Sequence, residues 1–145
     1  MQRSQSSRSQ AVCDLVFGKE AGTRTEDDAY RKTIAEANLK AFGFAGEKLE
    51  EVDAVIINAA GCGAMLKDYE HLLHHGEHAE AAKKFVAKAK DITEFLVQLG
   101  PVKPTHPLNI RATYHVACHL RHAQQIASPP RKLLEMIPGL ELVAL

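Results

Sequence analysis

The chain carries no excess of charge of either sign: lysine and arginine total 18, and aspartate and glutamate total 18. Balanced charge gives no electrostatic footprint for nucleic acid or for an anionic membrane as partner. No apolar run reaches the roughly 18 residues that a bilayer-spanning helix needs. Cysteine is scarce, with three residues at positions 13, 62 and 118. An odd number at such wide spacing excludes a disulfide framework, and no two form a Cys-x-x-Cys pair, which excludes a thioredoxin-like site and a simple zinc ribbon. Free thiols imply a reducing compartment, so a cytoplasmic location is expected. The chain also lacks a phosphate loop, a flavin or nicotinamide fingerprint and a nucleophile–base pairing. A self-sufficient enzyme is therefore not expected, and a role as a non-catalytic component is.

What is present is one domain's length, 145 residues, enough to bury a core. Residues 1–10 are rich in Ser, Gln and Arg and read as disordered; a short transit peptide is a weaker reading. Residues 11–17, with Cys13, form a brief apolar run, and Gly18 to Thr25 read as loop. Residues 1–25 are accordingly set apart from a domain over 26–145. A helix is expected over 26–49, with Thr25 as N-cap and Glu26, Asp27 and Asp28 in the first turn. Ala35, Leu39, Phe42, Ala45 and Leu49 give it an apolar stripe. Gly43 and Gly46 weaken its end.

Val52 to Asn58 is nearly continuous in apolar residues, as suits a strand covered on both faces. A helix is expected from Leu66 to Leu73, ended by His74-His75-Gly76, and a longer one from Glu77 to Leu99, stopped by Gly100 and Pro101. Strands are expected at 110–116 and 140–145, with a helix from Pro129-Pro130 to Ile137 between them. Strands alternating with helices predict an α/β fold: a parallel three-layer sheet with helices on both faces.

Between the first strand and its helix stands Gly61-Cys62-Gly63. Flanking glycines free the backbone for unusual dihedrals and let a ligand approach closely. A thiol at a helix N-terminus meets the positive end of the helix dipole, which favours the thiolate that metals bind. Cys118 repeats the pattern of strand, cysteine, helix. In a parallel sheet both turns lie at the carboxyl edge, where ligands bind in open α/β folds. Cys62 and Cys118 are thus candidate metal and cofactor ligands, brought together by the fold although 56 positions apart in sequence. The plainer alternative is a pair of inert packed thiols.

His115, His119 and His122 bracket Cys118, so a zinc site built on Cys62, Cys118 and His119 is a second reading. An exposed His122 and a packed or capping His119 are the plainer roles. His71, His74, His75 and His78 most simply meet the carbonyls of a helix end. Tyr69 and Tyr114 read as packing residues, and Lys83, Lys84, Lys88 and Lys90 as a solvated helix face.

Four stretches in order carry a resemblance. They are Asn58-Ala59-Ala60-Gly61-Cys62-Gly63-Ala64-Met65-Leu66-Lys67-Asp68-Tyr69; Lys90-Asp91-Ile92-Thr93-Glu94-Phe95-Leu96; Thr113-Tyr114-His115-Val116-Ala117-Cys118-His119-Leu120; and Pro130-Arg131-Lys132-Leu133-Leu134 with Ile137-Pro138-Gly139-Leu140-Glu141-Leu142-Val143. Together they resemble the cysteine-rich domain of glycolate oxidase iron–sulfur subunits. Lactate-utilisation iron–sulfur proteins and heterodisulfide reductase share this domain type. The likeness covers about residues 45–145.

The resemblance implies an iron–sulfur electron-transfer subunit, or a fragment of one. Such a subunit works alongside a flavin-containing oxidase subunit and further iron–sulfur segments. It passes electrons towards quinone, and is peripheral to the membrane through its partners. By the same comparison Cys62 and Cys118 match ligand positions of a 4Fe–4S cluster. The sequence departs from the family pattern in three places. It has no ferredoxin-like cysteine run, no Cys-Cys-Gly motif after the last strand, and Val116-Ala117 where the family has Asp-Pro. A 4Fe–4S cluster takes four thiolates, so the resemblance implies an incomplete ligand set and a partial domain lacking its C-terminal portion. A metal-free scaffold is the third reading.

Overall fold

The computed structural model describes residues 24–44 and 47–144. The expectations for the N-terminal segment, including the run around Cys13, lie outside these residues. The chain divides into two compact units, residues 1–55 with 65–89, and residues 56–64 with 90–145.

In the first unit, helix α1 spans Arg24–Ala41. It stops well before the expected end at residue 49 because Gly43, at φ +71°, closes it. The N–H of Gly43 reaches the carbonyl of Lys40 at 3.0 Å and that of Phe44 reaches Leu39 at 2.7 Å. This paired return of the chain is the glycine-closed helix end, which turns the backbone out of the helix and satisfies two orphan carbonyls. Leu49 then enters the core from a short 3-10 turn, Glu47–Leu49, rather than from the helix.

The core of this unit gathers Ala35, Leu39, Leu49, Tyr69, Leu73, Ala82 and Phe85, all nearly inaccessible to solvent. Phe42, expected on the stripe, is half exposed and stacks on Phe44 with ring centroids 5.6 Å apart. Tyr69 packs on Phe85 at 5.6 Å, and its hydroxyl takes a 2.6 Å hydrogen bond from the Asn38 amide. Burying a phenol without such a partner would cost a few kcal/mol.

The helix expected from Leu66 to Leu73 is in fact two: α2, Ala60–Lys67, and the single turn α3, Tyr69–Leu72. The helix expected from Glu77 to Leu99 also divides, into α4, Ala79–Lys88, and α5, Ile92–Leu99. Between them Ala89–Asp91 is extended and pairs as strand β2 with β1, Val55–Ile57. Asp91 enforces the break. Its carboxylate accepts the N–H of Thr93 at 2.8 Å, while Glu94 accepts the N–H of Asp91 at 3.0 Å. This reciprocal capping box satisfies orphan donors of a new helix, so starting α5 is favoured over continuing α4. Gly100, at φ +75°, ends α5 as expected.

In the second unit, strand β3, Ile110–Thr113, pairs parallel with β4, Leu140–Val143, in the register Ile110 to Leu140 through Thr113 to Val143. Helix α6, Ser128–Glu135, with prolines in its first turn, forms the crossover between them. The described strands therefore make two separate pairs, mixed with helix, and not the single three-layer sheet expected. Ile56 in β1 is 40% exposed while Ile57 is buried, so this strand is not covered on both faces.

Candidate metal centre

Both candidate ligands lie in the second unit. Cys62 is half-buried and Cys118 is exposed. Cys62 stands inside the first turn of α2, because the helix begins at Ala60 and not at Leu66. The expected role of its glycines is corrected accordingly. Neither Gly61 nor Gly63 has a positive φ. Gly61 faces open space, but Gly63 is buried, and a Cβ placed on it would stand 2.5 Å from Nε2 of Gln124. The bare Cα at position 63 is there for close approach by a side chain. No acidic residue occupies the first turn of α2. The positive end of the helix dipole is left for an anion such as the Cys62 thiolate.

Cys118 precedes a π-helical turn, His119–Ala123. The carbonyl of Ala117 takes N–H groups from both Leu120, at 2.9 Å, and Arg121, at 3.0 Å, and Gln124 N–H returns to His119 O at 3.0 Å. The widened turn is closed by Gln125, the one described non-glycine residue at positive φ, +59°. Ile126 N–H then reaches Leu120 O at 2.8 Å, and both side chains are buried. Isolated π turns recur at functional sites because they swing side chains out of the ordinary helical register.

This register carries Gln124 inward. The residue is only 9% exposed and donates from Nε2 to the carbonyl of Ala60 at 2.8 Å. One side chain thus joins the turn after Cys118 to the turn holding Cys62. Two neighbouring cysteine turns are expected from the sequence; Gln124 and the bond that joins them are not. Nothing in the local sequence distinguishes this glutamine from the adjacent Gln125, which is exposed.

His115, His119 and His122 are all exposed, as expected for His122. Among the described residues no three His, Cys, Asp or Glu side chains converge as a metal-ion site. The zinc set of Cys62, Cys118 and His119 is therefore not assembled. For an iron–sulfur cluster the two cysteines are the right donor type, and they supply half of four thiolates.

Tyr114, just after β3, is half-buried. Burial, reinforced by the Asp91 carboxylate, raises its pKa, so the phenol stays protonated. The histidines of the first unit are not a ligand set either. His71, His74 and His75 are exposed and stacked, with 5.6 Å between the first two rings and 3.9 Å between the last two. His74 Nδ1 meets the carbonyl of His71, the helix-end role expected of this cluster. A cleft of about 530 Å³ in that unit is lined by Asp28, Arg31, Lys32, Asp68, His71 and His74 and holds neither cysteine. Its Arg31 is already paired with Asp28 at 3.1 Å and Asp68 at 2.5 Å.

The lysines divide. Lys83 and Lys84 are exposed, with Lys84 on Glu50 at 2.7 Å. Lys88 is not solvated as expected: it is half-buried and donates to the carbonyls of Leu49 at 2.6 Å and Val52 at 2.8 Å. Among the described residues no helix is long and apolar enough to cross a membrane.

Known proteins share these features. Residues 112–145 match the cysteine-rich domain called CCG. The chain is 38% identical over 139 residues to a probable glycolate oxidase iron–sulfur subunit of Bacillus subtilis (strain 168), covering 91% of this chain and 28% of that protein. It is 35% identical over 135 residues to lactate utilization protein A of Geobacillus kaustophilus, covering 92% of this chain and 56% of that protein. It is 37% identical over 132 residues to lactate utilization protein A of Halalkalibacterium halodurans, covering 90% of this chain and 54% of that protein. The chain thus spans little more than half, or less, of these relatives. No solved structure matches it. The resemblance carried by the four motifs is shown: the chain bears a CCG-type cysteine-rich domain and is homologous over most of its length to proteins named as iron–sulfur subunits and lactate-utilisation proteins.

Proposed function

We propose that this chain is an iron–sulfur electron-transfer component, or a segment of one, in a glycolate- or lactate-oxidising system. Cys62 and Cys118 act as two thiolate ligands of a 4Fe–4S cluster. The remaining ligands come from outside the described residues. The observation that carries the reading is the 2.8 Å bond from Gln124 to Ala60, which links the two cysteine turns within one unit. The names of the relatives support the iron–sulfur assignment.

A cluster bound there would store and pass single electrons. The protein's own part is to hold two thiolates in place and to leave the positive end of α2 facing one of them. A flavin-containing oxidase subunit as electron donor, quinone as the destination, a cytoplasmic location and attachment to the membrane through partners belong to the same proposal. The chain itself contributes no substrate chemistry.

Anaerobic reconstitution with iron and sulfide tests this, on the chain and on the longer subunit that contains it. Bound sulfide, broad visible absorption that bleaches on reduction, and a paramagnetic signal of the reduced state are expected. Iron bound without sulfide, or a chromophore that a reductant leaves unchanged, would contradict it.

A further inference from the structure

We infer that Gln124 is a positioning residue that locks the Cys62 turn against the Cys118 turn and so sets the mutual placement of the two thiols. The inference rests on the proposed cluster reading for its purpose, but not for its geometry. Three independent observations converge on this one side chain. Its Nε2 donates to Ala60 O at 2.8 Å, two residues before Cys62. Its amide lies against Gly63, one residue after Cys62, so closely that a Cβ there would meet Nε2 at 2.5 Å and Oε1 at 3.0 Å. Its own placement is fixed by the π turn after Cys118, whose i to i−5 bond ends on the Gln124 N–H.

The amide is therefore held on both sides of Cys62, while its backbone belongs to the Cys118 turn. Gln124 Oε1 is buried and has no hydrogen-bond donor. Leaving such an acceptor unpaired is unfavourable, so a glutamine here is not explained by local stability. Fixing the first turn of α2 is a use that accounts for the donor, the close approach and the glycine together. Residues that orient metal ligands without binding the metal typically change affinity by about 10–100-fold when replaced.

The test uses a Cys13→Ser background with spin labels on Cys62 and Cys118, and no metal. The parent chain should give one narrow distance distribution. Gln124→Met, which keeps the size and removes the donor, should broaden it at unchanged helix content by circular dichroism. Gly63→Ala should do the same from the other side of the contact. Gly63→Ala with Gln124→Ala, which makes room for the new methyl group, should be narrower than Gly63→Ala alone. Gln124→Glu, which keeps the shape but loses the N–H, serves if the methionine variant does not fold.

In the unlabelled, reconstituted protein the Gln124→Met substitution should lower iron affinity by about 10–100-fold and shift the reduction potential. An unchanged distance distribution in Gln124→Met and Gly63→Ala would overturn the inference, whether or not iron binds. A broadened distribution in a protein that never takes up iron and sulfide would uphold Gln124 as the positioning residue and remove the cluster proposal.

Discussion

Lys83 and Lys88 lie on the same helix and meet different surroundings. Lys83 is in solvent, whereas the ammonium of Lys88 ties down two carbonyls that the chain leaves behind between the 3-10 turn and β1. Lys88→Ala should destabilise the protein by about 2 kcal/mol in urea unfolding, since bonds to a charged donor are the stronger kind. Lys83→Ala should change stability by less than about 0.5 kcal/mol. Tyr69 makes a pH prediction. Burial raises the pKa of its phenol above the usual 10.0, and the Asn38 hydrogen bond only partly opposes this. The unfolded chain loses that proton first, so stability attributable to Tyr69 is intact below about pH 10 and falls as pH rises through the folded value. Urea midpoints measured between about pH 8 and pH 11 should show this decline, and Tyr69→Phe should flatten it.

At the scale of elements, the breaks matter as much as the helices. Hydrophobic spacing runs without interruption from Ala79 to Leu99, and periodicity alone joins α4 to α5. The signal for the break is present as Asp91-Ile92-Thr93-Glu94, the spacing of a capping box. The apolar pattern around it conceals it. Asp91→Ala should cost about 1 kcal/mol, and amide exchange should rise at the N–H groups of Thr93 and the rest of the first turn of α5. Equal protection in both proteins would show that the cap is not what starts this helix. The same limit explains Gly43. A glycine near a helix end is visible in the sequence, but the choice between a weakened turn and a chain reversal depends on whether Phe44 can return to Leu39. The cysteine turns are legible because strand, cysteine and helix leave a local signature. Gln124 is not, because its function lies in a contact across 64 positions of sequence. Likewise, strand runs can be read locally, whereas their pairing into two short sheets depends on partners distant in sequence.

On the scale of the whole molecule, the candidate centre belongs to one of two compact units. The other unit is stabilised by its own aromatic core and its own buried polar pair, Asn38 with Tyr69. The chain spans 28% and 56% of the Bacillus subtilis and Geobacillus kaustophilus relatives. That is in keeping with a ligand set only half supplied by the described residues. The central claim is that Cys62 and Cys118, and not Cys13, hold the iron. Its most direct test is iron and sulfide retained per chain after anaerobic reconstitution and desalting, compared across Cys62→Ser, Cys118→Ser and Cys13→Ser. Marked loss in the first two, with retention in the third, is the expected result. Full retention in Cys62→Ser or Cys118→Ser would contradict the assignment.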